Sequence, residues 1–296
     1  MSIPSQRRDA ASPADAAPLG IVCGGGSLPL AVADAVSRRG RRVVMLALRG
    51  WADKAVERHP HHWIAVGQFG RLFRLAHSAG CRDLVFIGAV ARPAIGQIRL
   101  DWTTLRLLPR LVRAFRGGDD RLLSGVGGIF EDHGFRLVGA HEVAPEILAP
   151  AGAFGRHAPA ERERVDIERA LALLAAISPY DVGQCAVIAD GHVLAVEAAE
   201  GTDRMLDRVA TLRRDGWVHS PVGVGVLVKA PKVGQDRRFD LPSIGPPTVE
   251  GVARAGLAGV AVVAGATIVA EPDRLVRLAD ERGVFVVGVP PCEAAQ

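Results

Sequence analysis

"IVCGGGSLPLAVADAVSRRG", residues 21–40, sets three glycines between a short apolar run and an amphipathic stretch that stops at Gly40. Strand, glycines, helix is a physical recipe for an anion site. Glycine lets the backbone approach a ligand closely, and the unpaired N–H groups at a helix start point outward. The same stretch opens an alternation that predicts the fold. "LGIVCG" reads as a strand, "LPLAVADAVSRRG" as a helix and "RRVVMLAL" as a second strand. "HHWIAVGQFG" contains a third strand, "GRLFRLAHSAGC" is helical and "RDLVFIGAV" is a buried strand.

Strands alternating with helices predict a parallel, Rossmann-like α/β sheet. "TTLRLLPRLVRAFRGG" and "DRLLSGVGGIFEDHG" read as amphipathic helices and "FRLVGAHEV" as another strand. "APAGAFGRHAPAERER", residues 149–164, is rich in Gly, Pro and Ala and reads as a linker. Beyond it, "RVDIERALALLAAIS" is helical, and "QCAVIADGHVLAVEAAEG" is a hairpin turning at Asp190–Gly191. "TDRMLDRVATLRRDG" is a helix with Thr202 as its N-cap. Further strand and helix patterns run to "VFVVGVP". The expected organisation is a tail (1–18), a Rossmann-like domain (19–148), the linker, and a second α/β domain (165–296), with a ligand cleft between the two.

Aromatic residues are only 5% of the chain, so the core must be built from Ala, Val, Leu and Ile. Net charge is +4, and no basic run is interleaved with aromatics, which argues against a nucleic-acid partner. An acidic small molecule and an anionic membrane surface both fit that balance. The four cysteines lie far apart with no CxxC pair, as for buried thiols in a reducing compartment. The first 18 residues lack an apolar core and read as a tail, not a signal peptide. The uncharged stretch 255–270 is short and Gly-rich, and reads as a buried helix end, turn and strand, not a membrane span.

The dinucleotide pattern G-x-G-x-x-G is met by Gly24 and Gly26, but Pro29 stands in the third place. Strand two ends in "LALRG", with no acid to hold a ribose, although Arg49 would suit a 2′-phosphate. An NADP-dependent oxidoreductase is therefore one alternative. A non-enzymatic nucleotide- or lipid-binding protein is another.

The denser chemistry lies later. Asp181, Gln184, Glu197, Glu200, Thr202 and Asp203 gather around one hairpin and helix start. The turn Glu200–Asp203 offers free backbone N–H groups for a phosphate, while simple capping explains it equally well. "LVKAPKVGQDRRFDLPSIGPPTVEG" packs Lys229, Lys232, Gln235, Asp236, Arg237, Arg238 and Asp240 into one long loop. Such loops are uncommon unless functional. Cations bind phosphate oxygens, and carboxylates hold Mg²⁺ through oxygen. Lys229 and Lys232 are two of only three lysines in the chain. On the helix at "LRLLPRLVRAF", Leu105, Leu108, Leu111 and Val112 share a face that suits core packing, a dimer contact or acyl chains.

The pieces "GGGSLP", "VGQFGRL", "LVFIGAVARP", "DVGQ", "VLAVEAAEGTDRML" and "KAPKVGQDRRFDLPSIGPPTV" together resemble the UDP-2,3-diacylglucosamine pyrophosphatase family of the LpxI type. The resemblance runs from about Leu19 to Val289, and "EGTD" and "QDRRFDLPSIGP" are its specific parts. It implies hydrolysis of a UDP-sugar lipid to UMP and the acylated sugar 1-phosphate, lipid X, in lipid A synthesis. It also implies a Mg²⁺ requirement, a homodimer, and a cytoplasmic enzyme peripherally associated with the inner membrane. An essential aspartate is expected at Asp240, with Asp236 as the rival, either carrying the metal. Substrate contacts are expected at Gly24, Gly25, Gly26, Ser27, Gly67, Gln68, Gly88, Gln184, Glu200, Thr202, Asp203, Lys229, Lys232 and Gln235.

Overall fold

The computed structural model describes residues 17–90, 98–115, 119–239 and 241–291. The chain divides into two compact units between Ala144 and Pro145. The first runs β1 (Leu19–Cys23), α1 (Leu28–Arg38), β2 (Val43–Leu48), β3 (His61–Ile64), α2 (Phe69–Ser78), β4 (Asp83–Ile87), α3 (Trp102–Phe115), α4 (Asp119–Asp132), β5 (Arg136–Leu137) and α5 (Ala140–Val143). Among the described residues its sheet is five-stranded and wholly parallel, in the order β3-β2-β1-β4-β5. All five residues of β1 are buried, as an unbroken apolar run between two covered faces requires. The chain winds outward from β1 through β2 to β3, then returns to lay β4 on the other side of β1. The carboxyl ends of β1 and β4 therefore form the switch point where sheets of this kind take ligands.

"FRLVGAHEV" is not one strand. Only Arg136–Leu137 pair with β4, and the chain turns into α5 at Ala140. The Glu142 carboxylate accepts the Gly139 N–H at 2.6 Å, and this return bond from the third helical residue starts the helix.

The second unit runs β6 (Gly152–Ala153), α6 (Glu161–Ile177), β7 (Cys185–Ala189), β8 (His192–Val196), α7 (Thr202–Arg214), β9 (Val226–Lys229), β10 (Ser243–Ile244), α8 (Pro246–Arg254), β11 (Gly259–Val263), β12 (Ile268–Val269), α9 (Pro272–Arg282) and β13 (Phe285–Val289). Its larger sheet has the order β6-β13-β11-β9-β7-β8. The centre, β13-β11-β9, is parallel, while β7 is antiparallel to both β9 and β8, and β6 is antiparallel to β13. Alternate residues serve two cores, as the two-residue strand period demands. Cys185, Val187, Leu227, Val260, Val262 and Val286 pack with Met205, Leu206 and Val209 of α7 and residues of α8 and α9. Ala186, Ile188, Val226, Val228, Ala261 and Phe285 pack under Ile167, Ala170, Leu171 and Leu174 of α6. Two covered faces explain why these strands are so purely apolar.

The hairpin turns where the Asp-Gly pair places it. Asp190 and Gly191 both have positive φ, 49° and 76°, and the Asp166 carboxylate accepts both of their N–H groups. Residues 149–164 are more than a connection: β6 closes one edge of the sheet, and α6 starts at Glu161. The uncharged stretch 255–270 holds the turn after α8, then β11 and β12. Among the described residues no helix is long and apolar enough to cross a membrane.

Asp83, at the start of β4, is buried and accepts from Arg41 at 2.7 Å and from Arg136 at 2.8 and 3.0 Å. Burial pushes its carboxyl upward, but the bonds from Arg136 and Arg41 outweigh this and hold it below the ordinary value. A lowered folded value means the stabilisation is present above the unfolded value and is lost as pH falls through the folded one. Asp83→Asn should therefore lower stability at pH 7 by about 2 kcal/mol, the exposed Arg136 moderating the cost of a broken buried pair. Denaturant melts should show the gap to wild type closing below about pH 4.

Candidate active site

The site in the second unit is built where β9 ends beside the start of β7. Antiparallel pairing sets Lys229 opposite Cys185. The Lys229 ammonium donates to the Thr202 hydroxyl at 3.0 Å, and that hydroxyl donates to a Glu197 carboxylate oxygen at 2.8 Å. The other Glu197 oxygen accepts the Gln184 N–H at 2.8 Å. Gly183 makes room for this arrangement, since a Cβ there would stand 2.5 Å from the Glu197 side chain. The following loop folds back on the same point. Ala230 N–H donates to the Gln184 carbonyl at 3.0 Å, and the buried Gln235 accepts from Lys232 N–H at 3.2 Å and from the Gln184 amide at 3.4 Å. The Lys232 ammonium pairs with Asp181 at 2.5 Å.

Thr202 is not an N-cap. Gly201, at φ 80°, occupies that position, and Thr202 is the first helical residue. Its hydroxyl leaves the helix for Glu197 and Lys229, so capping no longer accounts for it. The neighbours differ in state. Glu200 pairs with Arg208 at 2.7 Å and accepts Ala198 N–H, and its own amide and Arg208 hold its carboxyl below the ordinary value. Asp203 is exposed in the first turn of α7, with no side-chain partner among the described residues. Cys185 lies 3.4 Å from the Thr202 hydroxyl, but burial pushes its thiol up to about 12, only partly offset by Lys229. It is a packed thiol and not a nucleophile.

In the first unit the expected residues gather at the carboxyl edge of the sheet: Gly24–Ser27 after β1, Gly67 and Gln68 after β3, and Gly88 after β4. The glycines there are partly a packing device. Gly24 N–H donates to the Ile87 carbonyl at 3.0 Å, and Gly25 and Ala89 exchange bonds at 2.8 and 3.0 Å. A Cβ on Gly24 would meet the Ala89 oxygen at 2.4 Å. One on Gly88, whose φ is 100°, would meet Gly25, Gly24 and Pro29 within 2.9 Å. Two of the amides expected to cradle phosphate are thus already used, and Pro29 fills the space left by Gly88. This is not the open turn a dinucleotide pyrophosphate needs. Gly26, at φ 94°, and Ser27 remain exposed at the start of α1. Gln68 closes its own turn by accepting Ala65 N–H at 3.1 Å.

Residues 18–147 match the LpxI N-terminal domain, and residues 150–287 match the LpxI C-terminal domain. The chain belongs to the LpxI family. It is similar to the UDP-2,3-diacylglucosamine pyrophosphatase LpxI of Caulobacter vibrioides, 42% identical over 275 residues, which are 93% of this chain and 98% of that protein.

Within this LpxI-family chain, Gln184, Thr202, Lys229, Lys232 and Gln235 are brought together, while Glu200 and Asp203 stand on the adjoining turn. Glu197, grouped by the sequence with the hairpin and helix start but not among the expected substrate contacts, joins the cluster through both oxygens. Asp181, the partner of Lys232, belonged to the same stretch but carried no mark of that pairing. Asp236 accepts from the Arg238 side chain and backbone at 2.7–3.1 Å, and the guanidinium holds its carboxyl below the ordinary value. Both Asp236 oxygens are thus engaged by Arg238. Asp240 lies outside the described residues. Among the described residues no three metal-ligating side chains converge.

Cys23 beside the glycine loop is also pushed up to about 12 by burial, and Cys81 is raised for the same reason. In a Cys292→Ser background, a chromogenic disulfide reagent at pH 8 should leave Cys23, Cys81 and Cys185 untouched until denaturant is added. Rapid reaction of any of them in the native protein would contradict the packing described here.

Proposed function

We propose that the chain hydrolyses the pyrophosphate of UDP-2,3-diacylglucosamine to UMP and 2,3-diacylglucosamine 1-phosphate. Support comes from membership of the LpxI family and 42% identity, along nearly the full length of both chains, to a pyrophosphatase named for that substrate. The geometric observation that carries it is the convergence of Lys229, Thr202, Gln184 and Gln235 at one strand-to-helix turn. Phosphate oxygens need such a place: an ammonium held in position by the Thr202 hydroxyl, beside the side-chain amides of Gln184 and Gln235, fixed before the substrate arrives.

In this proposal water gives its oxygen to one phosphorus, and the bridging oxygen leaves on the other phosphate. Lys229 and Lys232 neutralise the charge that grows on the departing oxygen. Glu197 holds the Thr202 hydroxyl, which in turn directs Lys229. Gly26 and Ser27, exposed at the start of α1, offer backbone donors to an anion at the first unit's own sheet edge. In the same proposal Asp240 and Asp236 would hold Mg²⁺, which would supply Lewis-acid charge to the phosphate. A homodimer and a peripheral place at the inner-membrane surface complete it.

The test is incubation with UDP-2,3-diacylglucosamine and Mg²⁺, with UMP followed by chromatography. Wild type should release UMP, lose activity with a chelator and regain it with Mg²⁺. Lys229→Met and Asp240→Ala should each lower kcat/KM by about 10²–10³-fold, the usual cost of removing a group that stabilises transition-state charge. No UMP from wild type would remove the function. Undiminished turnover in both Asp240→Ala and Asp236→Ala would remove the metal assignment and leave the function standing.

A further inference from the structure

We propose that the outward face of α3 is a docking surface for an anionic lipid bilayer. A surface helix ordinarily carries one apolar stripe, turned to the core. α3 carries two. Thr104, Leu107 and Leu111 are buried, as a core-facing stripe should be. Trp102, Leu105, Leu108 and Val112 form a second stripe, exposed at 67%, 44%, 41% and 43%. The segment leading into the helix adds Ile98 and Leu100, exposed at 37% and 50%. Of the four leucine and valine positions read from the sequence as one face, only Leu111 turns inward.

The charges beside this stripe identify what covers it. The helix sequence WTTLRLLPRLVRAF contains no acid, and Arg106, Arg110 and Arg113 run along one edge of the exposed face. The Arg106 guanidinium sits 5.3 Å from the centre of the Trp102 ring. Arg110 is paired with Asp132, and Arg113 donates to the Pro109 carbonyl of its own helix. An aromatic and leucines on one side with arginines along the rim is the composition of a helix lying in a membrane interface. There the apolar side chains enter the acyl boundary and the cations meet lipid phosphates. A second copy of the chain is a poorer occupant. A two-fold contact through this face would bring an acid-free, arginine-edged stripe against itself.

The face is also tied to the candidate site of its own unit. Asp101 at the start of α3 accepts from Thr104 N–H at 2.9 Å and from Arg71 N–H of α2 at 3.0 Å. The Thr104 hydroxyl donates to the Gly67 carbonyl and accepts Phe69 N–H at 3.1 Å. Ile98 and Leu100 stand against Gly67 itself, within 3.0 and 3.2 Å of where a Cβ would be. A bilayer held by α3 is thereby set beside the Gly67–Gln68 turn at the carboxyl edge of the sheet. The choice of a bilayer rests in part on the proposed diacylated substrate, which resides in one.

Flotation with vesicles tests this without substrate or turnover, so it succeeds or fails independently of the proposed activity. The full chain should float with phosphatidylethanolamine–phosphatidylglycerol vesicles, less so at high salt, and poorly with phosphatidylcholine alone. Leu105→Ser/Leu108→Ser should reduce flotation at least about tenfold, since two exposed leucines lose their acyl contact. Its melting temperature and its turnover of a short-chain, water-soluble substrate should stay at wild-type values. Failure of wild type to float, or equal flotation by the variant, would overturn the proposal. So would a variant that changes from dimer to monomer in sedimentation while floating unchanged, because the face would then belong to a contact between copies.

Discussion

Glu197 uses both carboxylate oxygens, one on the Thr202 hydroxyl and one on the Gln184 N–H, and the candidate site of the second unit is organised around those two bonds. They join the end of β8, the start of α7 and the approach to β7. The Lys229 ammonium meets them from β9 through Thr202. An ammonium next to a free carboxylate would simply pair with it. Here the hydroxyl stands between, so the lysine is oriented by a neutral group while the carboxylate is engaged elsewhere. The absence of a side chain at Gly183 is the steric condition for this, because Glu197 occupies the space a Cβ would take.

A comparable steric condition shapes the first unit. The loops after β1 and β4 lie so close that their backbones exchange hydrogen bonds, which glycine at 24 and 88 allows, while a Cβ on Gly25 would meet the Trp51 carbonyl. That closure consumes donors a nucleotide cofactor would need and leaves the start of α1 as the open part. It also places Pro29 against Gly88, where the dinucleotide pattern would have a glycine for helix–strand packing. The proline belongs to a different solution of the same packing problem.

The apolar outer stripe of α3 and the glycine-lined edge are two ends of one rigid arrangement. Asp101 bonds to the starts of both α2 and α3. Burial would raise its carboxyl, but the bonds from Thr104, Arg71 and Gly70 hold it below the ordinary value, so it stays charged at neutral pH. A charged cap shared by two helix starts favours both dipoles and fixes their spacing. The same helix start is bonded directly to the Gly67 turn through the Thr104 hydroxyl.

Much of the architecture was legible in the chain alone. Unbroken apolar strands alternating with amphipathic helices imply parallel sheets covered on both faces, and Asp190–Gly191 places a hairpin by its backbone preference. The motif pieces around Thr202, Lys229 and Gln235 marked stretches that the fold brings together. The tertiary structure decided what local pattern leaves open. Whether "FRLVGAHEV" continues as a strand depended on a return bond from Glu142. Whether Thr202 caps a helix or meets Lys229 depended on a partner 27 residues away. How closely the glycines pack backbone depended on the approach of β4. Periodicity reports which way a side chain faces within its own element. Only the approach of another element settles which atom it meets, and a hydrogen bond is a property of that meeting.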